Sequence, residues 1–436
     1  MPRRGIAPSP EFHPWCASGA AEPGNGSDTM RKLTEYPTLS LKERDRRWAL
    51  TRAEMARRGL DALVLIGWPA MWDFNIANAR YLCPIGGNAE NNILVFPLEG
   101  EPTSFIYSPV FTDYWKGAQS WVADVRPRKG TFADSIADRL TDLKLTGAKI
   151  GIDGMAGPLD ADGWTPHSLY TRLKDRLPGV NIVNLEDMME KLRVIKSSEE
   201  IAALDKAAKL GDLMLAKCRD TARPGVKECE VYAGMMETML ANGGEEPTLF
   251  LWASDKHPYP HPFRVPTMRP LEKGDMIICE MHPKFGGYYT HVERTFCLGK
   301  PEPRYLDIYE ACLTAYRTGI NLFKPGAKIS TAMDAVRDAI TGSGFGICEA
   351  GIHGHGLASL EYPRYRHHAM GADVGALKAI GDEFKTGMVF AMNIDLFDPK
   401  WMNGETGCVF AETITITEDG ARRMHSFSTD FQQLPV

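Results

Sequence analysis

Residues 274–299 read GDMIICEMHPKFGGYYTHVERTFCLG. An apolar run, Met276–His282, leads into Gly286-Gly287, and a second run, Tyr288–Leu298, follows. Two β-compatible runs joined through paired glycines predict a hairpin. Side chains alternate along a strand, so Tyr289, His291, Glu293 and Thr295 share one face, while Val292, Phe296 and Leu298 share the other. The second set suits a core. The first carries ionisable and hydroxyl groups in the middle of a domain, with aromatic neighbours, which suits the lining of a site.

Three further segments carry chemistry towards that face. Asp255–Thr267 (DKHPYPHPFRVPT) is a loop stiffened by proline, holding His257 and His261. Glu349–Glu361 (EAGIHGHGLASLE) sets His353 and His355 among glycines, which permit close approach of a ligand. Gly387–Asp395 (GMVFAMNID) reads as a strand with Asn393 and Asp395 on one face, and Cys408–Ile416 as the last strand before the Glu418-Asp419-Gly420 turn.

Upstream of the hairpin, Lys191–Ile201 (KLRVIKSSEEI) marks a boundary, because Ser-Ser-Glu-Glu is a helix start signal. A long helix follows with Ile201, Leu204, Ala207, Ala208 and Leu215 on its apolar stripe. Arg223-Pro-Gly-Val-Lys-Glu and Lys324-Pro-Gly-Ala-Lys-Ile each turn one helix into another, about a hundred residues apart. Two such units related by a pseudo-twofold would build a cleft between curved sheets. Before the boundary the texture is α/β. A helix is predicted over Ser40–Gly59, with strands at Asp61–Leu65, Asn78–Leu82, Asn92–Phe96, Ser104–Tyr107, Lys149–Ile152 and Asn181–Val183. Further helices are predicted near Phe132–Leu143 and Thr165–Leu177. Residues 1–39 read as a disordered leader or extension, with a second candidate start at Met30, residues 40–190 as an α/β domain and residues 191–436 as the catalytic domain.

The 436 residues carry 50 Lys and Arg against 56 Asp and Glu, a formal charge of −6. No basic excess advertises nucleic acid or an anionic membrane. No apolar run approaches the roughly 18 residues of a membrane span. The nine scattered cysteines form no CxxC and no framework of disulfides. A cytoplasmic location is expected.

The order of RVIKSSEEI, the Pro-Gly turns, GDM…GGYYTHVERTFCLG, HGHG, GMVFAMN and TITITEDG resembles the pita-bread superfamily of methionine aminopeptidase, aminopeptidase P, prolidase and creatinase. The resemblance implies an α/β N-terminal domain followed by an α+β pita-bread domain with an internal pseudo-twofold, and a homodimer acting on a small molecule. Metallopeptidases of that superfamily hold two divalent ions with two Asp, one His and two Glu. By motif position these fall on Glu280, His291, His353, Asn393 and Ala411, with Glu412 adjacent. Only the histidine is kept in kind, and Asn and Ala cannot bridge hard cations.

The segment GYYTHVERT is similar to that of creatinase, which works without metal. The resemblance then implies a hydrolase of a C–N bond in a guanidine, amidine or amide, not a peptidase, with no cofactor. His261 (His257 in reserve), His353 and Glu293 are its expected catalytic groups. Glu280, His291, Tyr289, Asn393 and Arg364 are expected to bind substrate, with Trp68, Trp72 and Phe74 as candidate aromatic contacts. Two alternatives stay open. One is a single divalent metal on Glu280, His291 and His353 in a lyase or hydrolase; the other is an inactive binding module.

Overall fold

The computed structural model describes residues 37–436 apart from 70–72, 88–89, 157–161, 186, 248, 262–264, 369–370 and 374. Residues 1–36, with the candidate start at Met30, lie outside the described residues, as does Trp72.

The first half is built on a six-stranded sheet: β1 (Ala62–Gly67), β2 (Asn92–Pro97), β3 (Thr103–Ile106), β4 (Asp124–Pro127), β5 (Lys149–Ile152) and β6 (Asn181–Asn184), in the order β4-β3-β2-β1-β5-β6. β1 and β2 are buried on both faces, which is why they read as unbroken apolar runs. The helix before them, Leu41–Arg58, is capped by the Ser40 side chain, which accepts from the Glu43 amide, and ends at Gly59 with φ +63°. Asn78–Leu82 is a correction: it belongs to a helix, Phe74–Leu82, whose nine residues are all buried. With no exposed face it shows no 3.6-residue polar alternation, and a short apolar run cannot be told from a strand. β4 has half-buried residues at three of its four positions and gave no signal.

In the second half, Ser197 and Glu200 form a capping box at the start of the helix Ser198–Thr221. Pro-Gly turns link it to Glu228–Ala241, and link Pro303–Leu322 to Ile329–Ser343; Gly225 and Gly326 have φ +91° and +83°, which only glycine adopts readily. The strands are β7 (Phe250–Asp255), β8 (Met276–Met281), the small hairpin β9 (Lys284–Phe285) and β10 (Tyr288–Tyr289), β11 (Val292–Leu298), β12 (Gly346–Gly354), β13 (Glu361–His368), β14 (Gly371–Asp373), β15 (Val389–Phe397), β16 (Gly407–Thr417), β17 (Gly420–Arg423) and β18 (Gln432–Leu434). Apart from β9 and β10 they form one sheet along β14-β13-β12-β15-β16-β11-β8-β7, with β17 on β16 and β18 on β11.

The first helix pair packs on β7, β8 and β11 through Met214, Met235, Trp252 and Phe296. The second packs on β12, β15 and β16 through Ile308, Met333, Ile352 and Phe410. Each helix pair thus backs one half of the sheet and leaves the opposite face for the site. The run Tyr288–Leu298, expected as one strand, is broken at residues 290–291. Tyr289 therefore leaves the face of His291 and Glu293. Its hydroxyl donates to Asp73 of the N-terminal domain at 2.8 Å, beside a buried Lys284–Asp73 ion pair of 2.7 Å. All eight described cysteines are free. Among the described residues no helix is long and apolar enough to cross a membrane.

Candidate active site

Antiparallel register decides which side chains meet. Across β7, β8, β11, β16, β15, β12 and β13, one row runs Leu251, Glu280, Glu293, Ala411, Asn393, Gly351, Arg366. Directly opposed residues point to the same face. Two residues along on that face come His353, Ala391, Thr413 and, through a 2.7 Å bond from its amide to Thr413 Oγ1, His291. Two residues the other way come Glu349, Asp395 and Val409. Ala391, Ala411 and Gly351 are the small members that hollow the surface. The hollow is a small pocket, partly open to solvent, walled by His261, Glu280, His282, Glu349, His353, Arg366 and Asn393.

The groups are linked. His261 Nδ1 lies 3.1 Å from Asp395 Oδ2. The Asp395 carboxyl lies beside that of Glu293. Glu293 Oε1 is 3.1 Å from His291 Nε2, and His291 Nδ1 is 3.3 Å from His353 Nε2. Asn393 Nδ2 donates to Glu293 at 3.4 Å, and His282 Nε2 meets Glu280 Oε1 at 3.2 Å. Arg366 pairs with Glu349 at 3.1 Å. Burial, followed by the charge of Glu280, pushes the Glu293 carboxyl well above the usual range; burial, followed by Glu293, does the same to Asp395. Burial holds His291, His353 and His355 well below the ordinary imidazole value, so they are neutral near pH 7.

Of the expected residues, His261, Glu280, His353 and Asn393 line the pocket, and His291 and Glu293 join them through the contacts above. His257 does not: its ring stacks on Tyr305 and meets Trp401 edge-on. Tyr289 points to the domain junction. The pocket guanidinium is that of Arg366; Arg364, opposite His353 in the register, is not among the lining residues. Trp68 packs on Phe132, and Phe74 sits in a buried cluster, so neither reaches the pocket. Sequence reading missed His282, Glu349 and Arg366. His282 had a signal, since it stands two residues after Glu280 at the end of one strand.

The chain matches two family descriptions: Creatinase/Prolidase N-terminal domain over residues 47–195 and Metallopeptidase family M24 over residues 202–418. Creatinase of Bacillus sp. (strain B-0618) is 24% identical over 422 residues, 92% of this chain and 94% of that protein. Xaa-Pro dipeptidase of Pyrococcus furiosus is 27% identical over 271 residues, 61% and 73%. Among solved structures, Xaa-Pro dipeptidase from Bacillus anthracis has a TM-score of 0.70 at 20% identity, covering 90% of this chain and all of that one. The prolidase from Pyrococcus horikoshii OT3 has 0.69 at 22%, covering 88% and 99%. Fold and site define a pita-bread hydrolase. The chain belongs to the creatinase/prolidase family, with the creatinase-type domain preceding the M24 domain.

Two expectations change. A site without a cofactor is overturned: the catalytic half matches a metallopeptidase family, and buried side chains form two groups able to hold an ion, Glu280-His291-Glu293 and His282-His291-His355, each with donor atoms within 4.8 Å of one another. The expected single-metal set of Glu280, His291 and His353 shares two members with the first group, but His353 there gives way to Glu293. The exclusion of peptidases also loses its support, because relatives matched over 61% and 59% of this chain are named Xaa-Pro dipeptidase.

The donors fit one cation. Glu280 Oε2, Glu293 Oε2, Asn393 Oδ1 and both ring nitrogens of His355 are buried without a hydrogen-bond partner, as atoms aimed at a ligand are. A second, carboxylate-bridged ion does not fit. The positions that the family resemblance gives to bridging carboxylates carry Asn393 and Ala411, and Glu412, one residue along, faces the helices, where it pairs with buried Arg294.

Proposed function

We propose that the protein hydrolyses a C–N bond in a dipeptide-sized molecule bearing a cationic nitrogen and a carboxylate. The observation that carries this reading is the contiguous run along the pocket wall of a family of hydrolases, with His261 held by Asp395 and, beside them, Glu293 bonded through His291 to His353.

Hydrolysis at an sp² carbon needs a water that loses one proton and a departing nitrogen that gains one. His261, backed by Asp395, takes the proton from water and returns it to the nitrogen. Positioned acid–base catalysis of this kind contributes roughly 10²–10⁴ in rate. Glu280 and Glu293 face the cationic nitrogen, whose charge favours the ionised form of Glu293. Arg366 takes the substrate carboxylate in exchange for Glu349. His353, neutral and buried, holds His291 in place. Both ion-binding groups contain His291, which would help hold a cation; when bound, the cation would polarise the scissile group and acidify water.

A guanidino acid is the second substrate type, favoured by the likeness to creatinase along nearly the whole chain and by Asn393 and Ala411 in the bridging positions. The family resemblance also supports a homodimer, for which exposed Tyr107, Val110, Phe111 and Tyr114 offer an apolar surface on the N-terminal domain. A cytoplasmic location belongs to the same reading.

The test is to offer metal-supplemented protein a panel of Xaa-Pro dipeptides and guanidino acids and to quantify released amine. Turnover within either class is expected. A folded, metal-loaded protein that cleaves neither refutes the proposal.

A further inference from the structure

Four imidazoles crowd the site. His282 and His291 stack with ring centroids 4.3 Å apart; His355 lies 5.4 Å from His282, 5.6 Å from His291 and 4.7 Å from His353. None is more than 2% exposed. A neutral imidazole has one nitrogen that donates and one that accepts. His355 has neither nitrogen hydrogen-bonded, and His282 Nδ1 is also without a partner. With His353 Nδ1, four orphaned nitrogens within one buried cluster mark a ligand that accepts lone pairs.

The surroundings fix these rings. His282 is held from behind by Glu280, whose Oε1 is 3.2 Å from Nε2, and Nδ1 is left for another partner. A carboxylate behind an imidazole is the usual support of a metal-binding histidine. His355 stands between Gly354 and Gly356, where an added Cβ would meet Tyr362 O at 2.1 Å and Glu361 Oε2 at 2.7 Å. Glu361 is itself clamped by Lys196 at 3.0 Å and Arg193 at 3.3 Å. The backbone carrying His355 is thus tightly packed. Both ring nitrogens of His291 are engaged, by His353 and Glu293, so His291 would give up one of these contacts on binding an ion.

We infer that His282, His291 and His355 form a nitrogen-rich site for one borderline divalent cation of the zinc, cobalt or nickel type, in place of the oxygen-rich pair that the family resemblance implies. Imidazole suits these ions, whereas carboxylate oxygens suit magnesium, calcium and manganese. Three protein ligands leave a fourth position open. Glu280 and Glu293 then offset the charge and remain available to substrate. The inference rests on the proposed function only for taking this pocket as the working site, and binding is measurable without turnover.

The test uses full-length protein stripped with a chelator and titrated with Zn²⁺, Mn²⁺ or Co²⁺ alone, with calorimetry and elemental analysis as readouts. One equivalent of Zn²⁺ is expected, at least about 100-fold tighter than Mn²⁺. Co²⁺ is expected to show the visible bands of a four-coordinate, nitrogen-rich site. His355→Ala and His282→Ala should each weaken Zn²⁺ binding about 100-fold or more and change the cobalt spectrum, while Glu280→Gln, which acts through His282, weakens it about 10-fold to 100-fold. If His355→Ala does not fold, His282→Ala decides. Two equivalents of metal, equal affinity for Mn²⁺ and Zn²⁺, or unchanged affinity in the histidine variants would overturn the inference. One zinc lost in the histidine variants, with no substrate cleaved, would overturn the hydrolase reading and leave this one standing.

Discussion

Glu412→Gln separates a carboxylate that supports the fold from one that reaches the pocket. Glu412 and Arg294 are both 0% exposed and ion-paired, and Arg423 lies 3.5 Å from the same carboxylate oxygen. Removing one member of a buried pair costs about 3–5 kcal/mol, because the other charge is left uncompensated. Arg294 keeps three backbone acceptors, Glu293 O at 2.7 Å, Ala411 O at 3.0 Å and Ser428 O at 3.1 Å, so the lower end, about 3 kcal/mol, is expected. At urea slopes of about 1–3 kcal/mol per molar, the unfolding midpoint falls by about 1 M or more. The assay is urea unfolding followed by tryptophan fluorescence, with metal content measured on the same preparation. Metal uptake should be unchanged. An unaltered midpoint together with loss of the bound ion would show that Glu412 turns into the pocket, and the register-based assignment of the site would fall.

Asp153 is fully desolvated at the end of β5. Burial, opposed in part by the Ile66 amide and reinforced by Glu190, pushes its carboxyl up to about 7. Its folded pKa lies above the ordinary value, so its contribution to stability is full below about pH 4 and is lost as pH rises through about 7. Asp153→Asn should therefore raise the melting temperature more at pH 8 than at pH 5; equal effects at both pH values would contradict this. His261→Gln should lower kcat at least about 100-fold with little change in melting temperature, and activity near that of the unaltered protein would remove His261 as the proton carrier. Gly351→Ala sets a Cβ 2.7 Å from Arg366 Cγ and Tyr365 O. It should raise KM for carboxylate-bearing substrates more than for their amides, and an equal rise for both would exclude Arg366 as the anchor.

Much of the catalytic half was legible because its strands advertise themselves. The Gly286-Gly287 hairpin, the two-residue spacing of His291 and Glu293, and the GMVFAMNID strand all follow from local rules. What local rules do not carry is register between strands distant in sequence. The pairing of Gly351 with both Asn393 and Arg366 puts Arg366 on the pocket's face; Arg364, opposite His353, shares that face, and of the two it is Arg366 that lines the pocket. The same pairing shows why Glu412 cannot stand in for Ala411, since adjacent residues on a strand face opposite ways. Tyr289 was misplaced because the extended run breaks before His291, where the chain turns from the domain junction to the sheet. Asn78–Leu82 was misread because burial on every side erases the periodicity by which a helix is recognised. The choice between His257 and His261 needed tertiary contacts: an aromatic stack takes one, and Asp395 takes the other.

Anomalous diffraction at the zinc absorption edge, from crystals of the full-length protein grown with zinc, addresses most directly whether this pocket holds one ion among imidazoles. A single peak within bonding distance of His282, His291 and His355 is the expected result. Two peaks bridged by carboxylates beside Asn393, or no peak at all, would contradict it.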